Sequence, residues 1–498
     1  MKARLLAASS LFLAGCTVGP DYHKPDVATP PQFQELPQRA ADAPLSVPQA
    51  GEADLSRWWT QIDDAELHKL IGQALQSNLD LQTAASRVRE AREQEVIAGA
   101  AGLPKVNANA STVQLHSASD PFAALTGGQN GQAGRGASQP SGSTNAHFYS
   151  LGFDATWEID IFGGTRRAVE AAQANTEAAV WAMRDGQVSL TAEIANDYMA
   201  LRAAQERVAV LNAQFQSEND VLKLTAARAH AGFVTQLDVN QQKAETETTA
   251  AQVPQLEAEI RAQEHAIAVL LAQQPEAMTA ELDRATPLPA LPQVFPVGLP
   301  SDLLRRRPDV REAERKLAAA NAQIGVAVAD LYPKFNLLGL LSMGGPQIAN
   351  VLSTNHLTEA GAGQISWSIF SGGQIHANIN AKTEEEKQAL FAYQSAVLGA
   401  IQDAEDALVR YQKEQHRFLS LRSAVETGRS SVALSKQQYN AGLVTYVNVL
   451  TSDQQYRQAQ DQLVQSRQAL AQDLISLYKA LGGGWSAAIP AVSESAAP

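Results

Sequence analysis

The sequence predicts an α+β protein, internally duplicated, in which long antiparallel α-helical coiled coils accompany four β-strands per chain. Repetition is the first observation. Ala231-Gly232-Phe233-Val234-Thr235 returns 210 residues later as Ala441-Gly442-Leu443-Val444-Thr445. Leu103-Pro104-Lys105-Val106-Asn107 returns as Tyr332-Pro333-Lys334-Phe335-Asn336 at an offset of 229, and Phe162-Gly163-Gly164 as Ser371-Gly372-Gly373 at 209. Two copies are too few for a solenoid, so the chain builds something pseudo-symmetric. Long proline-free stretches with heptad spacing are the second observation, and short alternating segments between them are the third.

The 498 residues have room for two or three ordinary domains. Aromatic residues make up only 6% of a chain that is 45% hydrophobic, which suits long helices packed through small side chains. A formal net charge of −13 argues against nucleic acid as a partner.

Residues 1–15 read as a secretory signal. Lys2 and Arg4 precede an apolar run from Leu5 to Leu13, which is too short to span a membrane. Leu13-Ala14-Gly15 then leads into Cys16, the single cysteine of the chain. This resembles the lipobox of bacterial lipoproteins, in which the cysteine is acylated and becomes the first residue. The alternative is an ordinary signal with an incidental cysteine, which would leave an odd thiol in an oxidising compartment. Thr17 follows, not the Asp that favours inner-membrane retention, which by the same resemblance points to the outer membrane. Without Lys2 and Arg4, 37 basic residues face 52 acidic ones, a mature charge of −15.

Residues 16–55 hold seven prolines between Pro20 and Pro48, which forbid a helix and favour an extended tether. Repeat 1 occupies 56–275 and repeat 2 occupies 299–485, with a linker at 276–298 and a flexible tail at 486–498. Each repeat reads helix, strand, loop, strand, long helix, turn, helix. Repeat 1 has twenty extra residues between its proline and its Gly-Gly pair. They fall near His116 to Ala146, a Gly/Ser/Gln/Asn-rich loop.

From Gly164 to His230 there is no proline, and Ile194, Tyr198, Leu201, Val208, Leu211, Phe215 and Leu222 follow a heptad register. Phe418, Leu421, Val425 and Val432 keep it in repeat 2. A helix of this length is roughly 100 Å long, which no compact domain needs.

Strands are expected at about 103–116 and 146–161, and again at about 332–345 and 361–370. Leu151 to Asp160 and Ile365-Ser366-Trp367-Ser368-Ile369 alternate apolar with small or polar residues and carry aromatics near their ends. That is the pattern of a membrane strand with one lipid face and one wet face. Taken singly, each also fits an edge strand of a soluble sheet. In lipid, an open sheet edge leaves backbone groups unpaired at several kcal/mol each, roughly. Four strands must therefore close by association, as eight in a dimer or twelve in a trimer. A conducting pore favours the larger number.

These pieces resemble the outer membrane factor family, the outer-membrane channels of tripartite drug-efflux pumps and of type I secretion, and most closely its lipoprotein efflux branch. The resemblance rests on Cys16-Thr17-Val18-Gly19-Pro20-Asp21-Tyr22, Arg57-Trp58-Trp59, Trp157 to Gly163, Leu299 to Val310 and Leu477 to Trp485. It implies a homotrimer with one twelve-stranded barrel in the outer membrane and a helical cylinder, the periplasmic α-barrel, reaching across the periplasm. It also implies acylation (palmitate) at Cys16, a periplasmic membrane-fusion adaptor, and an inner-membrane pump of the resistance-nodulation-division type. No cofactor is implied.

No metal spacing, phosphate loop or nucleophile–base pair is visible, and no enzyme is read here. Arg305-Arg306-Arg307 ends a short helix before Pro308 and reads as a solvated helix C-terminus. The two Ala-Gly-x-Val-Thr turns matter more. Gly232 and Gly442 suit the left-handed position that ends a helix. Thr235 and Thr445 sit where an N-cap is wanted, with Asp238 and Asn448 three residues on, as in a capping box.

By the resemblance these turns form the periplasmic tip, where Asp238 matches the acceptor of closing links and Tyr439 a donor. The chain departs from the family pattern at three places. Val444 replaces an Arg, and Asn448 and Thr451 replace the Asp residues of charged rings. Asp453 lies about 140° around the helix from Asn448 and faces elsewhere. The tip is therefore expected to close through mostly uncharged contacts, with Asn448 and Thr451 lining the constriction. The expected function is a passive outer-membrane exit channel. The alternatives are a type I protein-secretion duct or a lipid-tethered periplasmic coiled-coil scaffold.

Overall fold

The structure is a computed structural model, and it describes residues 17–36, 45–50, 55–117 and 144–486. Cys16, the signal segment, most of the long loop and the C-terminal tail lie outside the described residues.

The repeat seen in the sequence is carried into element lengths. Helices α1 (Ala65–Ser77) and α2 (Leu79–Ala100) open the first copy, followed by strands β2 (Lys105–Ser117) and β3 (Thr144–Ile159). Helices α3 (Gly164–His230) and α4 (Gln236–Leu270) close it. The second copy runs α5 (Pro300–Arg306), α6 (Pro308–Ala329), β5 (Lys334–Gly345), β6 (Leu357–Ser366), α7 (Gln374–Asn440) and α8 (Tyr446–Ala480). Helices α3 and α7 each have 67 residues, α4 and α8 each have 35, and α2 and α6 each have 22. Short strands β1 (Val47–Ala50) and β4 (Val294–Val297) pair in parallel. Among the described residues, no helix is long and apolar enough to cross a membrane.

The chain divides into two compact units. The first holds residues 17–23, 92–175 and 318–388, with their masked loop excepted. At its centre is an antiparallel sheet in the order β2-β3-β5-β6, so β2 and β6 are open edges. The register sorts the side chains. Val106, Leu151, Phe153, Trp157, Leu337 and Leu341 share one face with Glu359, while Asn107, Asn109, Asp154 and Gln364 share the other with Leu338 and Leu340. Phe153 is 54% exposed in the single chain, as expected of a face meant for lipid. On the other face, the amides of Asn107 and Asn109 donate to the Asp154 carboxylate.

The fourth strand lies earlier than 361–370, at Leu357–Ser366. Ser366 pairs with Lys334, and the next residue back on that side is Pro333, which has no N–H to extend the ladder. Trp367 instead donates its indole N–H to Leu331 O at 2.9 Å, as Trp157 does to Gly102 O at 2.9 Å. Both tryptophans thus mark one end of the sheet.

The second unit holds the remaining described residues, including most of the long helices. Its core explains the Arg57-Trp58-Trp59 signature. Trp58 is 1% exposed and stacks on Tyr478 at 5.1 Å, and the Tyr478 hydroxyl donates to Gln61 Oε1 at 2.7 Å. The proline-rich segment is extended, but it is not a free tether. Phe33 is buried, the backbone N–H groups of Gln34 and Glu35 donate to the Glu405 carboxylate, and Ser46 donates to Pro292 O. The segment between the repeats is likewise packed, burying Met278, Leu282 and Leu288.

Arg307 is not solvated either. Its guanidinium contacts Asp309 at 2.7 Å and Asp403 at 2.9 Å, and it donates to Ala480 O at 3.2 Å. The last arginine of the Arg-Arg-Arg run is therefore tied into half-buried ion pairs. Arg305, whose side chain is 73% exposed, meets Asp302 at 2.5 Å at the surface.

Candidate functional site

The two turns joining α3 to α4 and α7 to α8 have the same backbone. Gly232 has φ +77° and Gly442 has φ +73°, in the left-handed region that side chains resist. Phe233 N–H returns to Arg228 O at 2.9 Å, and Leu443 N–H to Gln438 O at 3.0 Å, which satisfies the last carbonyls of each long helix. Nothing lies within 4 Å of a Cβ built on either glycine, so backbone conformation alone selects glycine here. Phe233 and Leu443 are 80% and 76% exposed.

The caps differ. Thr235 opens α4 with a full capping box: its hydroxyl accepts from Asp238 N, and Asp238 Oδ2 accepts from Thr235 N at 2.8 Å. Thr445 opens α8 without a side-chain cap to the backbone, and its hydroxyl donates instead to Asn448 Oδ1 at 2.8 Å. Thr451 donates back to Val447 O at 2.9 Å. Tyr439 faces Tyr446, with ring centroids 5.4 Å apart, and Arg228 sits 5.6 Å over the Tyr439 ring. Within the single chain, no hydrogen bond joins Asp238 to Tyr439.

Tyr446 is 7% exposed, and its hydroxyl reaches Gln242 Oε1. Burial, then the neighbouring Tyr439, pushes its pKa up to about 12, so it stays a neutral donor.

Further along the helices lies a charged cluster that sequence spacing did not expose. Arg457 contacts Glu218 and Asp453 directly and Glu245 at 3.6 Å. Glu218 Oε1 also accepts from Gln214 at 3.1 Å and Thr249 at 2.9 Å. Burial pushes the Arg457 pKa down to about 10, yet the group is still charged at neutral pH. The cluster borders a cavity of about 350 Å³ lined by Gln242, Lys436 and Tyr446 among others. Asp453, set aside in the sequence because it points away from Asn448, belongs here. The i,i+4 spacing of Asp453 and Arg457 was the one signal available. Among the described residues, no group of acidic, His or Cys side chains is arranged to hold a metal.

A four-stranded antiparallel sheet open at both edges, together with duplicated 67-residue helices, defines the class as an outer-membrane channel subunit. The outer membrane efflux protein family matches residues 70–273 and 299–483, and the chain belongs to that family. It is 31% identical over 495 residues to nodulation protein T of Rhizobium leguminosarum bv. viciae, covering 97% of this chain and 94% of that protein. It is 30% identical to the pyoverdine export outer membrane protein OpmQ of Pseudomonas aeruginosa, covering 97% of each. Among solved structures, the outer-membrane channel OprN superposes with a TM-score of 0.84 at 34% identity, over 94% of this chain and all of that one. The Campylobacter jejuni CmeC outer membrane channel has the same fold, with a TM-score of 0.82 at 19% identity over 94% and 95%.

Proposed function

We propose that the chain is one third of a homotrimeric exit duct, which passes small molecules from an inner-membrane pump and a periplasmic adaptor to the exterior. The observation that carries this reading is the four-stranded sheet, whose Phe153 face is mainly apolar and whose β2 and β6 stay unpaired at its edges. In lipid those edges need partners, and three copies supply a closed ring of twelve strands. Relatives named for pyoverdine export and antibiotic efflux favour small-molecule cargo over protein. A long, mostly polar wall makes few specific contacts, so selection of cargo falls to the pump, with the resistance-nodulation-division type as the expected partner.

The gate in this reading is the pair of turns, where Asp238, Tyr439, Asn448 and Thr451 make polar contacts between neighbouring coils. Cys16 carries the lipid anchor. Purified protein tests the reading: heat-modifiable trimers that conduct ions across planar bilayers are expected. A monomeric helical rod without conductance would exclude it and favour a tethered scaffold.

A further inference from the structure

Residues 17–22 do not trail from the first unit; they are seated in it. Val18 N–H donates to Phe162 O at 3.1 Å, three residues beyond the end of β3. Arg167, in the first turn of α3, then grips the segment. Its Nε donates to Val18 O at 3.1 Å, and one terminal nitrogen donates to Gly19 O at 3.3 Å and to Asp21 Oδ1 at 2.7 Å. The other terminal nitrogen holds Glu170 at 2.7 Å. The Arg167 side chain is only 4% exposed, although Asp21 is 79% exposed. The planar fork of an arginine can span two carbonyls and two carboxylates at once, and an ammonium cannot.

Glycines make the seat. A Cβ on Gly163 would stand 2.8 Å from Thr17 Cγ2, and one on Gly325 would stand 2.7 Å from Arg167 Cγ. Tyr22 closes the slot by packing against Ala174, Ala318 and Ala319.

We propose that Arg167 is a positioning residue for the membrane anchor. It seats residues 17–21 beside Phe162, three residues past the end of β3, so that the lipid-bearing residue of the lipoprotein reading starts from a fixed point in the fold. The proposal rests on the lipoprotein reading given above. Its weight comes from a comparison of lengths. Five free residues would let the acylated cysteine wander by roughly 12 Å. That is a large part of the roughly 30 Å hydrocarbon core. The clamp removes that freedom, so the depth of the acyl chains is set by the protein and not by the tether.

A nitroxide at Pro20→Cys tests this, since Pro20 is exposed and has no N–H to lose, and the only native cysteine is Cys16. In trimers reconstituted into phosphatidylethanolamine/phosphatidylglycerol vesicles, the label should be immobilised. Arg167→Gln should shorten its correlation time several-fold while leaving conductance unchanged. Asp21→Asn, at a side chain 79% exposed, should give an intermediate spectrum. Carried on a Cys16→Ala chain with a cleavable signal, the label should remain immobilised. An unchanged spectrum in Arg167→Gln overturns the proposal, or in Asp21→Asn if Arg167→Gln does not assemble. So does a label freed by Cys16→Ala alone, because the lipid would then be the holder. Mass analysis of the N-terminal peptide separately tests acylation. An unmodified cysteine beside an immobilised label would refute the lipoprotein reading and keep the clamp.

Discussion

Asp238 accepts two hydrogen bonds from Thr235, from the backbone N–H at 2.8 Å and the hydroxyl at 2.7 Å, and both end on Oδ2. Its other oxygen makes no hydrogen bond among the described residues. The carboxylate therefore caps its own helix and keeps one acceptor for a donor from elsewhere. At the equivalent place in the second repeat, Asn448 takes only the hydroxyl of Thr445. One turn thus presents a charged acceptor and the other a neutral one.

This duality gives the gate prediction a control. Asp238→Ala removes the carboxylate half of the capping box and leaves the Thr235 cap, at a cost of up to about 1 kcal/mol, and also removes the acceptor proposed for Tyr439 of an adjoining coil. Tyr439→Phe removes only a donor, in a bond that contributes roughly 1.5–3 kcal/mol. Both variants should raise planar-bilayer conductance and uptake of large antibiotics, and only Asp238→Ala should lose thermal stability. Block by multivalent cations should be weak, because Asn448 and Thr451 carry no charge. Unchanged conductance in both variants, with stability lost in Asp238→Ala, would leave Asp238 as a helix cap alone.

Arg457→Met should be among the most damaging single changes in the helical unit. It leaves Glu218, with its side chain 3% exposed, beside Asp453 and Glu245 without the guanidinium they surround. Breaking a buried pair from one side costs about 3–5 kcal/mol. Heat resistance of the trimer in detergent should fall sharply, and Arg457→Met with Glu218→Gln should recover a large part of it. A double variant no better than the single one would show that packing, not charge, is what Arg457 supplies.

The sequence made the architecture legible where the signal is local or repeated. Offsets of 210 and 229 reappear as helices of equal length, and the alternating segments reappear as the four strands of one sheet. Pro333 could have set the end of β6, but its effect acts across the ladder on a residue 34 positions away, at Trp367, so it was read too late. The contacts of Arg307 with Asp403, of Arg457 with Glu218 and of Arg167 with Asp21 were illegible for the same reason. Each joins residues far apart in the chain, and a charged residue read singly looks like a solvated surface. The turn residues lie between these extremes. Their motif speaks for local backbone conformation, whereas contacts between chains leave no spacing to read.

Acid should stabilise one part of the helical unit. Burial, then the charge of Glu193, pushes the Asp197 carboxyl up to about 6; burial does the same for Asp473, against the pull of Arg410. A carboxyl with a raised folded pKa holds its proton more tightly when folded. Its contribution is fully present below its ordinary value near 4 and is lost as pH rises through about 6. Asp197→Asn should therefore raise the melting temperature at pH 7.5 and leave it unchanged at pH 4. Equal gains at both pH values would show that ionisation of Asp197 is irrelevant to stability.

Cys16→Ala, supplied with an ordinary cleavable signal, should still reach the outer membrane as a trimer and retain much of its transport activity. A single acyl chain binds a membrane only marginally, and stable anchoring takes a second element. A closed barrel of twelve strands is a stronger anchor than any lipid, because leaving the bilayer exposes its whole apolar face. On the proposed acylation anchoring is therefore redundant, and the lipid would add depth and order beside Phe162, where Val18 is tied down. Cell fractionation with heat-modifiability gels reads the outcome. Complete loss of trimer from the outer membrane would mean that the acyl group acts during assembly, before the β2 and β6 edges have found their partners.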